Sequence, residues 1–144
     1  MTRTERLNPV VQHADKKQQK ALEAVVVAQN RLETEKQKLT QLHSYRTEYL
    51  DRQNHARKSC PVIELQEFNR FLVQLDETIK KQIDIIKLRE IELDGKRRSW
   101  QETRINSKVM HKVVENLQQE EQILQAKVEQ KTLDEFSQRK SRNP

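Results

Sequence analysis

The sequence predicts an all-α protein in which two long helices form an antiparallel coiled-coil hairpin, with the second helix longer than the first. Three observations support this fold class. Large apolar residues recur at seven-residue intervals, as they do in a helix that packs along a partner helix. One glycine and three prolines leave few turns. Because only 33% of the chain is apolar and 35% is charged, a deep globular core is not expected.

The first helix is predicted from about residue 7 to about residue 57, within a single domain that spans residues 1–144. Asn8 and Pro9 fit its cap and first turn, and neither glycine nor proline follows until Pro61. Its apolar residues form two interleaved files with a seven-residue spacing. The first file contains Leu7, Ala14, Ala21, Ala28, Leu42 and Tyr49, and the second contains Val11, Val25, Leu32 and Leu39.

A turn is predicted at about residues 58–62, because Pro61 restricts the residue before it and has no amide hydrogen for a continuing helix. The second helix is predicted from about residue 63 to about residue 139, and the two ends of the chain are expected to fray. The short connection favours an antiparallel pair. The main apolar file of the second helix contains Leu65, Leu72, Ile79, Ile86, Leu93 and Trp100.

The second file of this helix is interrupted by polar residues at the positions that face the partner helix. Polar residues at such positions reduce stability while they specify the alignment of the helices. Two interpretations stay open, which are control of the register and a loose central segment that allows bending. The interrupting residues are Gln82, Arg89, Lys96 and Thr103.

The second helix is expected to extend beyond the start of the first and to leave a bare end. An exposed apolar surface of this kind is typical of a site for a binding partner. The apolar residues of this end are Val113, Val114, Leu117, Ile123, Leu124, Val128, Leu133 and Phe136.

Composition and spacing exclude several classes of function. One glycine cannot supply a phosphate-binding loop, and the four histidines lack metal-ligand spacing, so no enzyme activity, cofactor or metal site is predicted. The net charge of +6 is dispersed, which argues against a specific nucleic-acid site. No stretch approaches the roughly 20 apolar residues of a membrane span. A soluble protein is therefore expected. Because Cys60 is the single cysteine and cannot form an internal disulfide, the reducing cytoplasm is the expected compartment.

Three short segments carry a family resemblance. They read FNRFLVQLD at residues 68–76, RSW at 98–100 and LDEFSQR at 133–139. Together with the hairpin and the proline-marked turn, they resemble the FliJ family, small soluble coiled-coil components of the flagellar type III export apparatus. The resemblance covers nearly the full length of the chain.

The resemblance implies a non-enzymatic cytoplasmic protein at the flagellar base, associated peripherally with a membrane complex at the cytoplasmic face of the inner membrane. In the family, the end that bears both termini enters the pore of the hexameric export ATPase FliI and promotes its ring. The part of helix two near the turn contacts the export gate protein FlhA, and export chaperones are further candidate partners. The gate-facing positions it implies here are Phe71, Leu75, Thr78 and Gln82, of which the last two depart from the expected residue types.

The bare end and the resemblance lead to one hypothesis about binding. We expect Leu133, Phe136 and Arg139 to take part in binding the ATPase, because they lie beyond the paired region and combine apolar and basic side chains. The alternative is a generic self-associating coiled-coil scaffold or adaptor, which would dimerise through the same end. A nucleic-acid binder is a third reading, and it predicts tight, strongly salt-dependent association with DNA or RNA.

Overall fold

The computed structural model describes residues 2–56 and 61–142. Within these ranges it contains two helices and no strand, α1 over Arg3–Ala56 and α2 over Val62–Arg142. The helices pair in an antiparallel hairpin and α2 is the longer, which confirms the predicted fold class. Residues 58–60 of the predicted turn, including Cys60, lie outside the described residues.

Helix α1 begins four residues earlier than predicted. The hydroxyl oxygen of Thr2 accepts a hydrogen bond from the amide of Glu5 at 3.2 Å, and its carbonyl accepts one from the amide of Arg6 at 3.2 Å. Thr2 therefore caps the helix. The prediction that Asn8 and Pro9 start the helix was wrong, since Pro9 lies inside it. The cap at Thr2 outweighs the missing amide hydrogen of one proline two turns into the helix.

Helix α2 begins directly after Pro61. The carbonyl of Pro61 accepts hydrogen bonds from the amides of Glu64 at 3.1 Å and Leu65 at 3.3 Å. Glu64 lies in the first turn, where its negative charge is favoured by the helix dipole. The start at Val62 agrees with the predicted boundary to within one residue.

The chain divides into two compact units, Met1–Lys20 with Gln101–Pro144 and Ala21–Trp100. The prediction of a single domain stays a prediction. In the second unit the two helices bury a cluster formed by residues from the predicted apolar files. Burial of each large aliphatic side chain stabilises the pair by about 1.5–3 kcal/mol. The cluster contains Val25, Ala28, Leu32, Ile86 and Leu93, with Leu39 and Trp100 packed against it.

A buried polar contact in the same unit specifies how α1 and α2 align. The side-chain amide of Gln82 donates to the carbonyl of Glu35 at 2.9 Å and to its carboxylate at 2.6 Å. These bonds satisfy Gln82 at one alignment only, because a shift of either helix would leave it buried without partners. The geometry favours register control over a loose segment. Lys96, in contrast, is exposed, since its long side chain reaches solvent from a seam position.

In the first unit, α1 pairs with α2 as far as Glu121. The amide of Thr4 donates to the carboxylate of Glu121 at 3.4 Å. Val114 and Leu117 are half-buried in this unit. Their assignment to the bare end was therefore wrong, because α1 starts earlier than expected and covers them.

Candidate partner-binding surfaces

Residues 122–142 of α2, here called the C-terminal segment, are exposed at every position. Glu121 is the last partly buried residue before it. Nothing in α1 covers the apolar side chains of this segment. Leu133 is 66% exposed and Phe136 is 58% exposed, values far above those of residues inside the seam. The predicted bare end therefore begins at residue 122.

The apolar residues of the C-terminal segment lie on more than one face. Leu124 and Val128 continue the two files of the seam. Leu133 follows Leu124 by nine residues, which is about two and a half turns and so places it on the opposite side of the helix. Phe136 lies between these directions. A partner that covers all four side chains has to contact the segment from several sides.

The end of the C-terminal segment is basic. Arg139, Lys140 and Arg142 occupy the last turn of α2, where positive charge is favoured by the helix dipole. The ammonium group of Lys140 lies 5.5 Å from the centre of the Phe136 ring, within the range of a cation–π interaction. The surface thus combines apolar and basic groups, which complement an apolar or acidic partner.

The four positions that the sequence resemblance assigns to the export gate divide into two kinds. Leu75 is buried in the seam, and Gln82 is buried with its side-chain amide donating to the carbonyl and the carboxylate of Glu35. Phe71 is half-buried, and Thr78 is exposed with its hydroxyl donating to the carbonyl of Gln74 at 3.0 Å. Phe71 and Thr78 offer surface to a partner in this conformation, whereas the other two support the helix that presents them.

A comparison with known protein families shows which family the chain belongs to. The model of the family described as "Flagellar FliJ protein" matches residues 3–144. The chain belongs to the FliJ family. This membership confirms the resemblance seen in the sequence and makes the chain a coiled-coil component of the flagellar export apparatus, in a family that is not catalytic. Searches of the curated proteins and of the solved structures find no match.

Metal-ligand clusters and membrane-spanning segments are both absent from the described part of this FliJ-family chain. No group of three or more His, Cys, Asp and Glu residues in residues 2–56 and 61–142 could hold a metal ion. Over the same residues, neither helix has a segment long and apolar enough to span a membrane.

One polar cluster of this FliJ-family chain was missed by sequence reasoning. The carboxylate of Asp15 accepts hydrogen bonds from the hydroxyl of Ser107 at 2.6 Å and from Nε2 of His111 at 2.9 Å. Asp15 is the shared acceptor, so the order differs from that of a hydrolase triad, where histidine lies between nucleophile and carboxylate. Asp15 on α1 is more than 90 positions from both Ser107 and His111 on α2, and no local motif signals the contact.

The hydrogen bond from Ser107, followed by that from His111, lowers the pKa of Asp15. A lowered carboxyl pKa contributes stability that is complete above the ordinary carboxyl range and is lost as the pH falls through the lowered value. We expect Asp15→Asn to lower the unfolding midpoint at neutral pH and to have little effect in acid. Thermal unfolding of the variant and of the wild type, followed from neutral to acidic pH, measures the difference between their unfolding midpoints.

Comparison with the wild type is needed because Glu35 and Glu92 also have lowered pKa values and respond to pH with the same sign. Glu23→Gln provides a control for the change from carboxyl to amide, because Glu23 is an exposed residue of the same helix. A constant difference between Asp15→Asn and the wild type down to the most acidic sample would contradict the assignment.

Proposed function

We propose that this FliJ-family protein is a non-enzymatic stalk that binds and promotes the hexameric export ATPase FliI and links it to the export gate protein FlhA. The C-terminal segment is the ATPase-binding element, with Leu133, Phe136 and Arg139 as its contacts. Its continuous exposure, combined with apolar and basic side chains, is the observation that carries the proposal. The proposed location is the cytoplasmic face of the inner membrane at the flagellar base, where export chaperones are additional candidate partners.

Energetics support a partner at this segment. Each large apolar side chain left in water forgoes about 1.5–3 kcal/mol of burial energy, and Leu133 and Phe136 are both left there. A basic last turn adds attraction to an acidic surface and accelerates encounter with it. A hexameric ring that encloses a helix can contact several of its faces, which matches the distribution of apolar residues around the segment.

The effect on the ATPase is indirect in this mechanism. A bound helix changes the populations of the nucleotide states of a ring only if it binds those states with different affinities. An apolar side chain on each of several faces allows different subunits to make unequal contacts with the same segment. Such inequality is the physical requirement for promoting one state of the ring.

The test is to delete residues 130–144 and measure binding to purified FliI and stimulation of its ATPase activity. The deletion keeps every buried or partly buried residue of α2, because Glu121 is the last of these and the described residues beyond it are all exposed. We expect binding and stimulation to be lost while circular dichroism shows an otherwise intact hairpin. A triple variant, Leu133→Ser, Phe136→Ser and Arg139→Gln, should weaken binding at least tenfold, since central interface residues each contribute about 2 kcal/mol or more.

Ile105→Ser is the matched control, because Ile105 is an exposed apolar residue of α2 that lies outside the C-terminal segment. It should retain binding to within a few-fold. Unchanged binding and stimulation after the deletion would refute the ATPase proposal.

The gate side of the proposal concerns the part of α2 near the turn. Phe71 and Thr78 are proposed as the surface that meets FlhA, while Leu75 and Gln82 hold this face in place from the seam. Thr78→Lys should weaken FlhA binding and leave FliI binding intact, because Thr78 is exposed and its replacement disturbs no seam contact. A variant with normal FlhA binding would remove Thr78 from the interface.

A self-associating scaffold is the second candidate function, and one observation favours it. Leu124 and Val128 continue the seam files without a partner helix, so a second copy of the chain could pair with them. Sedimentation at micromolar concentration separates the two functions. A stable dimer or tetramer that is abolished by Leu124→Ser with Val128→Ser would support the scaffold, and a monomer supports the stalk.

A further inference from the structure

A groove lined by aromatic and acidic side chains lies near the turn, between the end of α1 and the start of α2. Its volume is about 590 Å³, and it opens to solvent. This aromatic groove belongs entirely to the unit Ala21–Trp100. It is lined by Tyr45, Tyr49, Glu64, Glu67, Phe68 and Phe71.

The rings of the aromatic groove are set at an angle to one another. Tyr45 and Phe71 meet edge to face, with ring centres 6.0 Å apart and planes at 71°. Tyr49 lies 4.6 Å from Phe71 and 5.1 Å from Phe68, with both pairs tilted by 47°. These four rings line the groove, and the negative face of an aromatic ring attracts a cation.

The acidic side chains of the groove add a second attraction for a cation. Glu64 and Glu67 are exposed and line the groove together with the rings. Burial, followed by the neighbouring Tyr45 and the negative charge of Glu67, raises the pKa of Tyr49. The nearby Arg46 does not supply the complementary charge, because its guanidinium is paired with Asp76 at 2.7 Å.

We propose that the aromatic groove binds the side chain of a lysine or arginine presented by a partner polypeptide. Ring faces and carboxylates together select a cation that also carries an aliphatic stem, which these two side chains provide. An anionic ligand is disfavoured by both carboxylates. The site is separate from the C-terminal segment and does not depend on ATPase binding, although it shares Phe71 with the proposed gate surface.

The experiment uses the full chain and two peptides whose ends are blocked and therefore uncharged. They are acetyl-Gly-Arg-Gly-Arg-Gly-amide and its glutamine counterpart, acetyl-Gly-Gln-Gly-Gln-Gly-amide. The ring resonances of Tyr45, Tyr49, Phe68 and Phe71 are followed by nuclear magnetic resonance during titration. We expect saturable shifts with the arginine peptide and none with the glutamine peptide. The affinity should fall as salt is raised, because the groove is open to solvent.

Two variants test the two attractions separately. Glu64→Gln with Glu67→Gln should weaken binding of the arginine peptide at least threefold and leave the rings in place. Tyr45→Leu removes the most exposed ring of the groove and should weaken binding to a similar extent. Glu77→Gln, which neutralises an exposed glutamate elsewhere on α2, is the matched control and should bind as the wild type does.

The proposal is overturned if both peptides shift the rings equally, if neither does, or if the double glutamine variant binds with unchanged affinity. Deleting residues 130–144 should leave this binding intact. Failure of the ATPase proposal and failure of this one are therefore distinguishable.

Discussion

Replacing Leu93 with alanine is expected to lower the free energy of unfolding by about 2–5 kcal/mol. Leu93 is 5% exposed and lies in the apolar cluster of the unit Ala21–Trp100. Truncation removes its transfer energy and leaves a cavity that two paired helices can close only in part. Urea unfolding followed by circular dichroism measures the loss.

Ile91 provides the matched control for this prediction. It is apolar and two residues from Leu93 on the same helix, yet it is 70% exposed. Ile91→Ala should change the free energy of unfolding by no more than about 0.5 kcal/mol, as surface substitutions usually do. Equal losses in the two variants would show that Leu93 is not packed against α1 as the structure has it.

Replacing Ala28 with leucine is expected to destabilise the protein by about 1–3 kcal/mol through overpacking. Ala28 is 2% exposed, and it faces the same cluster from α1. A small residue at this position lets the two helices approach closely. A larger side chain has to separate them or adopt a strained rotamer. The measurement is again urea unfolding.

Val27→Leu is the control, since Val27 is the adjacent residue of α1 and is 52% exposed. It adds bulk to the same turn without entering the seam and should be nearly neutral. If Ala28→Leu proved stabilising, the space opposite Ala28 would have to be larger than the structure shows.

The heptad files predicted much of this fold because burial along a helix follows a simple period. Leu32, Leu93 and Ile79 were predicted at the seam from spacing alone, and all three are buried. Pro61 marked the start of α2 for a local reason, its missing amide hydrogen. The start of α1 was predicted at Asn8 and Pro9, whereas the hydroxyl of Thr2 makes the capping contact.

The candidate surfaces were predictable to different degrees. Exposure of Leu133 and Phe136 followed from the unequal lengths of the helices, which sequence patterns reveal. The position of Gln82 inside the seam was also visible in the heptad, but its bonds to Glu35 depend on the alignment of α1 against α2. The contact of Asp15 with Ser107 depends on that alignment as well.

By itself, the sequence determined that this protein is a pair of long helices with an uncovered end and a family membership that connects it to flagellar export. These properties follow from the periodic spacing of apolar residues and from short sequence segments, and each such pattern is local to one helix. Only the tertiary structure decided which side chains face each other across the pair. In that structure, Glu121 is the last residue of α2 that is partly buried, and Asp15 accepts a hydrogen bond from Ser107. The rings of Tyr45 and Tyr49 lie beside the ring of Phe71. Those contacts depend on the relative shift and rotation of two helices, which one helix's pattern does not specify.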